Sequence, residues 1–290
     1  LTDNSGSLSS PCYFCGEWVD AARARFTLDD RGCTQGVIAV ERLRTHGGRL
    51  RFVADYVERL SRTTEWLGLI HAEPAEGYIA ILNELVNRCK IIPGPRTDVA
   101  IVLLVSPGPV GGPATVIAHA EPLHWERIER WIEFGQRLRV PSIPQIQATV
   151  WPRHLKVRNR LHYYLADREV QAIDPEASAL LADANGDLTE TSVANIATII
   201  GENFFVPPAE HVLPGVTLKQ VFRLAREQGL TVQERPITRE VIWSSDEALL
   251  TGSTAGIWGL THLDDQPIGT GKTGQLTRTL QRAWNHLTSA

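Results

Sequence analysis

The stretch Arg153-His154-Leu155-Lys156-Val157-Arg158-Asn159-Arg160-Leu161 is followed further along the chain by Leu188-Thr189-Glu190-Thr191-Ser192-Val193-Ala194-Asn195. A lysine amine in mixed apolar and basic company can form a Schiff base with an aldehyde. A lone glutamate among small residues, across a predicted hairpin, can hold a pyridine nitrogen protonated so that the ring accepts electrons. Together they are the pair that pyridoxal-phosphate chemistry needs, and neither carries that reading alone.

Around this stretch lies a chain of 290 residues, long enough for one large domain or two ordinary ones. A hydrophobic share of 43% and a charged share of 21% are ordinary for a globular protein. The net charge of -4 and the mixed signs give no basic stripe, which argues against a nucleic-acid partner. The longest purely apolar run, Val99-Ala100-Ile101-Val102-Leu103-Leu104-Val105, is too short to cross a bilayer and suits a buried strand. The first residues, Leu1 to Pro11, lack a charged region followed by an apolar one, so no secretory signal is expected and the chain reads as soluble and cytoplasmic. Cys12 and Cys15 form a C-x-x-C, but Cys33 and Cys89 supply no second pair. The four are read as small thiols in a reducing compartment, and no metal site is expected.

Taken in order, residues 1–10 read as a flexible polar tail, and Tyr13 to Val19 as a strand broken at Gly16. Asp29-Asp30-Arg31-Gly32 reads as a polar loop, Val37 to Arg44 as a strand, and His46-Gly47-Gly48 as a hairpin turn. Apolar residues at Phe52, Tyr56, Val57, Leu60 and Leu67 predict a helix on which Arg59 lies beside the stripe, by itself a solvated charge. A second helix is predicted from Gly77 to Cys89, ending before Pro93-Gly94-Pro95, and strands follow over 99–105 and 114–119. The expected division is a smaller N-terminal α/β domain over 1–122, an interdomain segment over 123–140, and a larger C-terminal domain over 141–290 that carries Lys156. The spacing of Leu161, Tyr164 and Leu165 puts Lys156 just ahead of a helix or in its first turn. Asn185-Gly186 is the strongest short hairpin signal in the chain.

Leu213-Pro214-Gly215-Val216-Thr217 leads into a helix with an apolar face of Leu218, Val221, Phe222 and Ala225, stopped at Gly229. Free backbone amides at such a start, with a glycine permitting close approach, bind an anion. The plain alternative is a strand-loop-helix connection with Thr217 as N-cap. Thr251-Gly252-Ser253-Thr254-Ala255-Gly256 can offer hydroxyls and amides to the same anion, or be a tight polar turn. Gly269-Thr270-Gly271-Lys272-Thr273 ends like a nucleotide-binding loop, but that pattern needs glycine where Gln266 stands.

Taken together, these segments resemble the class IV aminotransferases, the pyridoxal-phosphate enzymes of fold type IV. The resemblance runs from Phe14 to Trp284. It rests on Phe14-Cys15-Gly16-Glu17, Tyr56-Val57-Glu58-Arg59-Leu60, Lys156-Val157-Arg158-Asn159, Thr189-Glu190 through Asn195, and the two phosphate loops, all in the family's order. It implies a two-domain α/β (α+β) fold like that of D-amino-acid aminotransferase, a pyridoxal 5'-phosphate cofactor, and a homodimer whose partner chain helps line the pocket. It implies that Lys156 holds the cofactor and moves the proton at the substrate Cα, and that Glu190 pairs with the pyridine nitrogen. Arg59, Asn195, the Val216 and Thr217 amides, Ser253 and Thr254 become cofactor-binding residues, which changes Arg59 from solvated charge to ligand.

Three departures bear on the substrate. The strand over 99–105 carries no basic side chain, where branched-chain and D-amino-acid enzymes place one for a substrate carboxylate. The tyrosine that branched-chain enzymes carry soon after the lysine is replaced near Leu161, with Tyr163 and Tyr164 close by, and Gly36-Val37-Ile38 lacks the acidic residue of many relatives. Arg44 is a candidate substitute for the missing cation, or an exposed strand-end charge, and Ala255 is a second candidate substrate contact. The expected function is an aminotransferase acting on amino acids and 2-oxo acids. Lys156 through Leu161 is nearer the aminodeoxychorismate lyase version of the motif, which makes such a lyase the alternative. A nucleotide- or metal-binding protein is the remote third.

Overall fold

The computed structural model describes residues 10–69, 73–91, 94 and 96–289. Of the expected polar tail only Ser10 falls among them, and Pro93 and Pro95 of the helix-ending segment lie outside the described residues. The chain forms two compact units: one holds the described residues up to Leu123 together with Lys156–Asn159, and the other holds His124–Leu155 and everything from Arg160 onward.

The first unit is built on an antiparallel sheet. Its strands are β1 (Pro11–Phe14), β2 (Glu17–Asp20), β3 (Ala39–His46), β4 (Arg49–Leu50), β5 (Val99–Ser106) and β6 (Thr115–Pro122), in the order β2-β1-β6-β5-β3-β4. β1 and β2 turn through Cys15 and Gly16, and β3 and β4 through Gly47 and Gly48, all with positive φ, the backbone that two-residue hairpins require. The apolar β5 lies between β3 and β6, with Ala100 to Leu103 and Val105 fully buried. Helices α2 (Val53–Trp66) and α3 (Ala75–Cys89) pack against this sheet, α2 on β3 and α3 on β1 and β6. The stretch expected to be a loop at Asp29–Gly32 instead starts a short helix, α1 (Arg31–Gln35). Asp30 is its N-cap and is fully buried, accepting from the Gly32 amide (2.6 Å), Ser106 (2.7 Å) and Thr115 (2.6 Å). A buried carboxylate with that many donors is satisfied without a counter-charge.

Lys156–Asn159, expected in the C-terminal domain, groups with this first unit for a backbone reason. β4 pairs only with Thr45 and His46, leaving the start of β3 an open edge. Val157 bridges Ala39 there, flanked by hydrogen bonds from Val40 N to Lys156 O (2.9 Å) and from Arg158 N to Ile38 O (3.0 Å).

The second unit begins with helix α4 (Trp125–Phe134) and strand β7 (Gln136–Arg139), so most of the expected interdomain segment is ordered structure. Then come α5 (Leu161–Ile173), β8 (Ser178–Ala182), β9 (Leu188–Thr191), β10 (Asn195–Ile200), β11 (Asn203–Val206), α6 (Val216–Glu227), β12 (Thr231–Glu234), α7 (Arg239–Trp243), β13 (Glu247–Gly252), β14 (Gly256–Leu263), β15 (Gln266–Pro267) and α8 (Gln275–Ser289). The strands run β12-β11-β10-β13-β14-β7-β8-β9, with β15 on β14. β9 also pairs with β10, Asn195 opposite Glu190, which closes β10-β13-β14-β7-β8-β9 into a ring. Closing a sheet removes its edges, and Leu180, Ile196, Leu249, Leu250, Trp258 and Leu260 on its strands are buried. No helix among the described residues is long and apolar enough to cross a membrane.

Candidate active site

In the first unit, Lys156 is half-buried and its backbone is fixed at both ends: its N–H donates to Thr63 Oγ1 (3.3 Å), and its carbonyl accepts from Val40. Lys156 therefore starts no helix, since α5 begins only at Leu161. Thr63 in turn donates to the Arg59 carbonyl one helical turn back (3.1 Å), tying the lysine segment to α2.

Arg59 is buried, with 6% of its surface exposed, and Glu41 with 1%. Its Nε and Nη2 donate to the two Glu41 oxygens at 2.8 and 2.7 Å, and its guanidinium carbon lies 5.5 Å from the centre of the Tyr56 ring. The alternation of β3 turns Glu41 to the same face as Leu43 and Thr45, and all three are buried. Arg44 points to the other face of that strand. It donates to the Thr45 carbonyl (3.0 Å) and lies 3.5 Å from Asp98, a carboxylate also held by the Gly47 and Gly48 amides and by Thr45. Burial lowers the Arg44 pKa and the Asp98 charge works against that shift. The reading of Arg44 as an exposed strand-end charge is thus corrected, because a carboxylate and a strand carbonyl hold it.

The remaining predicted residues gather in the second unit. Glu190 sits at the end of β9, opposite Asn195, the first residue of β10, and Asn195 is opposite Thr251 near the end of β13. The row Glu190, Asn195, Thr251 thus crosses three strands at one end of the ring. Two residues past Thr251 come Ser253 and Thr254, both half-buried, and then the buried Ala255. Asn195 Nδ2 donates to Leu213 O (2.9 Å), and the Leu213 amide donates to Glu190 Oε2 (3.0 Å). Leu213 leads directly into α6, whose N-cap is Gly215 and not Thr217.

The start of α6 has the features of an anion site. No side chain caps it, and a first helical turn has no intrahelical acceptors for its amides. Thr217 is 2% exposed and its hydroxyl has no hydrogen-bond partner; the same holds for Thr251 at 1%. A buried hydroxyl without a partner costs free energy unless a ligand or water supplies one. A Cβ at Gly215 would lie 2.1 Å from Asn195 Oδ1, so only glycine lets the chain approach there.

Glu190 is 4% exposed and is surrounded by groups that sequence reasoning did not single out. Its Oε1 accepts from Arg153 Nη2 (2.8 Å), Tyr163 Oη (2.8 Å) and Gln145 Nε2 (3.3 Å). Tyr163 also accepts from Arg153 (3.0 Å), and burial, followed by the Glu190 charge, raises its pKa. His162, tilted against Tyr163 with ring centres 4.0 Å apart, is pushed down to about 4 by burial and then by Arg153 and Arg160. The signal for Arg153 was its place three residues before Lys156 in an apolar context; nothing in the sequence marked Gln145 or Glu41.

All four cysteines are free thiols, and the described residues contain no group of three or more side chains able to hold a metal ion. Residues 39–263 match the family described as amino-transferase class IV. The chain is 25% identical over 287 residues to a putative branched-chain-amino-acid aminotransferase of Methanocaldococcus jannaschii, covering 95% of each chain. It is 24% identical over 279 residues to the D-alanine aminotransferase of Bacillus licheniformis, covering 93% of this chain and 94% of that one. Its fold is similar to that of the Escherichia coli branched-chain amino acid aminotransferase, with a TM-score of 0.88 at 22% identity over 97% of this chain and 95% of the other. The branched-chain aminotransferase of Thermoproteus uzoniensis, solved with norvaline, gives 0.84 at 23% identity over 97% and 95%. With that family match covering most of the chain, it belongs to the class IV aminotransferases, with the pyridoxal-phosphate fold type IV and transaminase activity.

Proposed function

We propose that this transaminase binds pyridoxal 5'-phosphate through Lys156, Glu190 and the start of α6, and moves an amino group between an amino acid and a 2-oxo acid. The observation that carries the reading is the buried Thr217 hydroxyl without a partner, on a helix start tied through Leu213 to the Glu190 carboxylate. A planar pyridine with a phosphate at one end fits such a donor set: a carboxylate for the ring nitrogen, and amides and hydroxyls for the anion.

When bound, the cofactor supplies an electron sink for the carbanion formed at the substrate Cα. Glu190 accepts the hydrogen bond of the ring nitrogen and keeps it protonated, with Asn195 and the Leu213 amide fixing one side of the carboxylate. The Val216 and Thr217 amides and the Thr217 hydroxyl would donate to the phosphate, joined by Ser253, Thr254 and the Arg59 guanidinium, whose orientation Glu41 fixes. Lys156 attaches the cofactor through its amine. With its amine free, it would move the proton between the substrate Cα and the C4′ position; a positioned base of this kind is worth roughly 10²–10⁴ in rate. Arg44 and Ala255 face the substrate. The active form is a homodimer in the cytoplasm.

Borohydride reduction of the holoenzyme followed by peptide mapping tests the assignment. The phosphopyridoxyl label is expected on Lys156 and absent from a folded Lys156→Ala variant. A label on another lysine overturns the reading.

A further inference from the structure

Arg153 has no role in the reading above, yet its guanidinium is among the most buried charges in the second unit, with 6% of its side chain exposed. A buried cation persists where a carboxylate neutralises it. Among the described residues the structure pairs Arg153 with one carboxylate, Glu190, at 2.8 Å, and its Nε has no partner at all. Its second contact is Tyr163 Oη at 3.0 Å, and that phenol donates onward to the same Glu190 oxygen at 2.8 Å. Arg153, Tyr163 and Glu190 Oε1 thus form a closed triangle, with Gln145 Nε2 donating to Glu190 (3.3 Å) and to Tyr163 (3.4 Å) from the side. The other oxygen, Oε2, takes only the Leu213 amide and a long contact from Asn195 Nδ2 at 3.5 Å.

The two oxygens are therefore unlike. One is saturated by a cation, a phenol and an amide, and the other is held lightly by neutral groups. We propose that Arg153 and Tyr163 are positioning residues: they pin Oε1, so that Oε2 is presented to the cofactor's ring nitrogen and that nitrogen stays protonated. This rests on the assignment of Glu190 to the ring nitrogen. Among the other groups packed against the triangle, the Arg160 guanidinium is a second cation, 4.8 Å from the centre of the Tyr163 ring, and it donates to the Ser192 carbonyl. Gln145 and Asn195 are neutral, and His162 stays uncharged because burial and the cations Arg153 and Arg160 disfavour its protonation. Without the Arg153 contact Oε1 loses its charge-assisted hydrogen bond, the carboxylate can turn away, and the ring nitrogen's proton loses its acceptor.

The test uses holoenzyme reconstituted with pyridoxal 5'-phosphate carrying ¹⁵N in the ring, whose chemical shift reports protonation independently of turnover. Wild-type protein is expected to give the pyridinium shift. Arg153→Gln is expected to move it toward the neutral pyridine value and to weaken cofactor binding roughly tenfold, in line with loss of a charge-assisted hydrogen bond. Arg153→Lys is expected to restore most of the shift. If Arg153→Gln gives no folded holoenzyme, Tyr163→Phe decides, with a smaller displacement expected in the same direction. An unchanged pyridinium shift in the folded variant overturns the proposal. Glu190→Gln separates the two levels. If it moves the shift while Arg153→Gln does not, the positioning role alone has failed; if it too leaves the shift unchanged, the assignment of Glu190 has failed.

Discussion

Glu190 and Asn195 form the single register pair between β9 and β10, and that pair closes the ring of strands in the second unit. Asn195 Nδ2 lies 3.5 Å from Glu190 Oε2 and donates at 2.9 Å to the Leu213 carbonyl. One amide therefore ties the strand closure to the carboxylate and to the loop that launches α6. Asn195→Ala leaves the Leu213 carbonyl without its donor, which costs about 1–3 kcal/mol where the group stays out of water. The expected outcome is a folded protein with a lower urea midpoint and weaker pyridoxal-phosphate binding, checked by denaturation and by cofactor titration. Cofactor affinity equal to wild type would separate Asn195 from the site.

Gly215→Ala probes the same corner from the other side. At a helix N-cap a glycine-to-alanine change ordinarily costs about 1 kcal/mol or less. Here the added Cβ would lie 2.1 Å from Asn195 Oδ1, and Asn195 is itself buried. Either Asn195 or the start of α6 must move, so a loss of cofactor affinity of at least roughly tenfold is expected, out of proportion to the change in stability. Equilibrium dialysis of pyridoxal phosphate against the apoprotein measures it.

Local signals made much of this legible. The apolar run over 99–105 marked β5 because that strand is buried between two neighbours, and Asn185-Gly186 marked a hairpin because Gly186 takes a φ of 87° there. Gly215 followed by Val216 marked the start of α6 for the same kind of reason, a backbone that must approach closely. The partners of the site residues were not legible. Glu190 meets Gln145 across 45 residues and Tyr163 across 27, and Arg59 meets Glu41 across 18, separations that no helical or strand period encodes. The segment over 123–140 reads as interdomain without showing its helix, because α4 buries little beyond Ile128 and its pattern is dominated by charges. Lys156 joined the first unit through backbone hydrogen bonds to β3, which side-chain pattern cannot report.

The Glu41 and Arg59 pair makes a prediction about stability that separates from cofactor binding. Both side chains are buried, at 1% and 7% exposed, and each satisfies the other's charge. Removing one partner strands a buried charge, which typically costs about 3–5 kcal/mol, whereas replacing both with apolar groups of similar volume is often neutral. Arg59→Met alone is expected to lower stability in that range, and Glu41→Leu with Arg59→Met to recover most of it. If Arg59 holds the phosphate, the double variant remains deficient in cofactor binding despite its recovered stability. Urea denaturation of the apoprotein and cofactor titration, run on the same variants, measure the two effects independently.

Two histidines predict how stability responds to acid. Burial pushes His162 down to about 4, with Arg153 and Arg160 adding to the shift. Burial likewise pushes His46 down to about 4, with Arg44 and Arg51 opposing its protonation and Asp98 favouring it. The ordinary value is 6.5, so between pH 6.5 and about 4 the unfolded chain binds protons at these positions that the folded chain does not. Stability then rises with pH across that window and falls as the pH is lowered through it. Asp98 and Glu121 have lowered pKa values, so their contribution is lost only as the pH falls below their ordinary values of 3.8 and 4.5. The upper part of the window therefore belongs to the histidines. Urea midpoints of the apoprotein at about pH 6.5, 5.8 and 5.2, chosen inside the window where unfolded histidine titrates, are expected to fall steadily. In the variant carrying His46→Gln and His162→Leu the slope is expected to flatten; an equal slope in both proteins would assign the acid sensitivity to other groups.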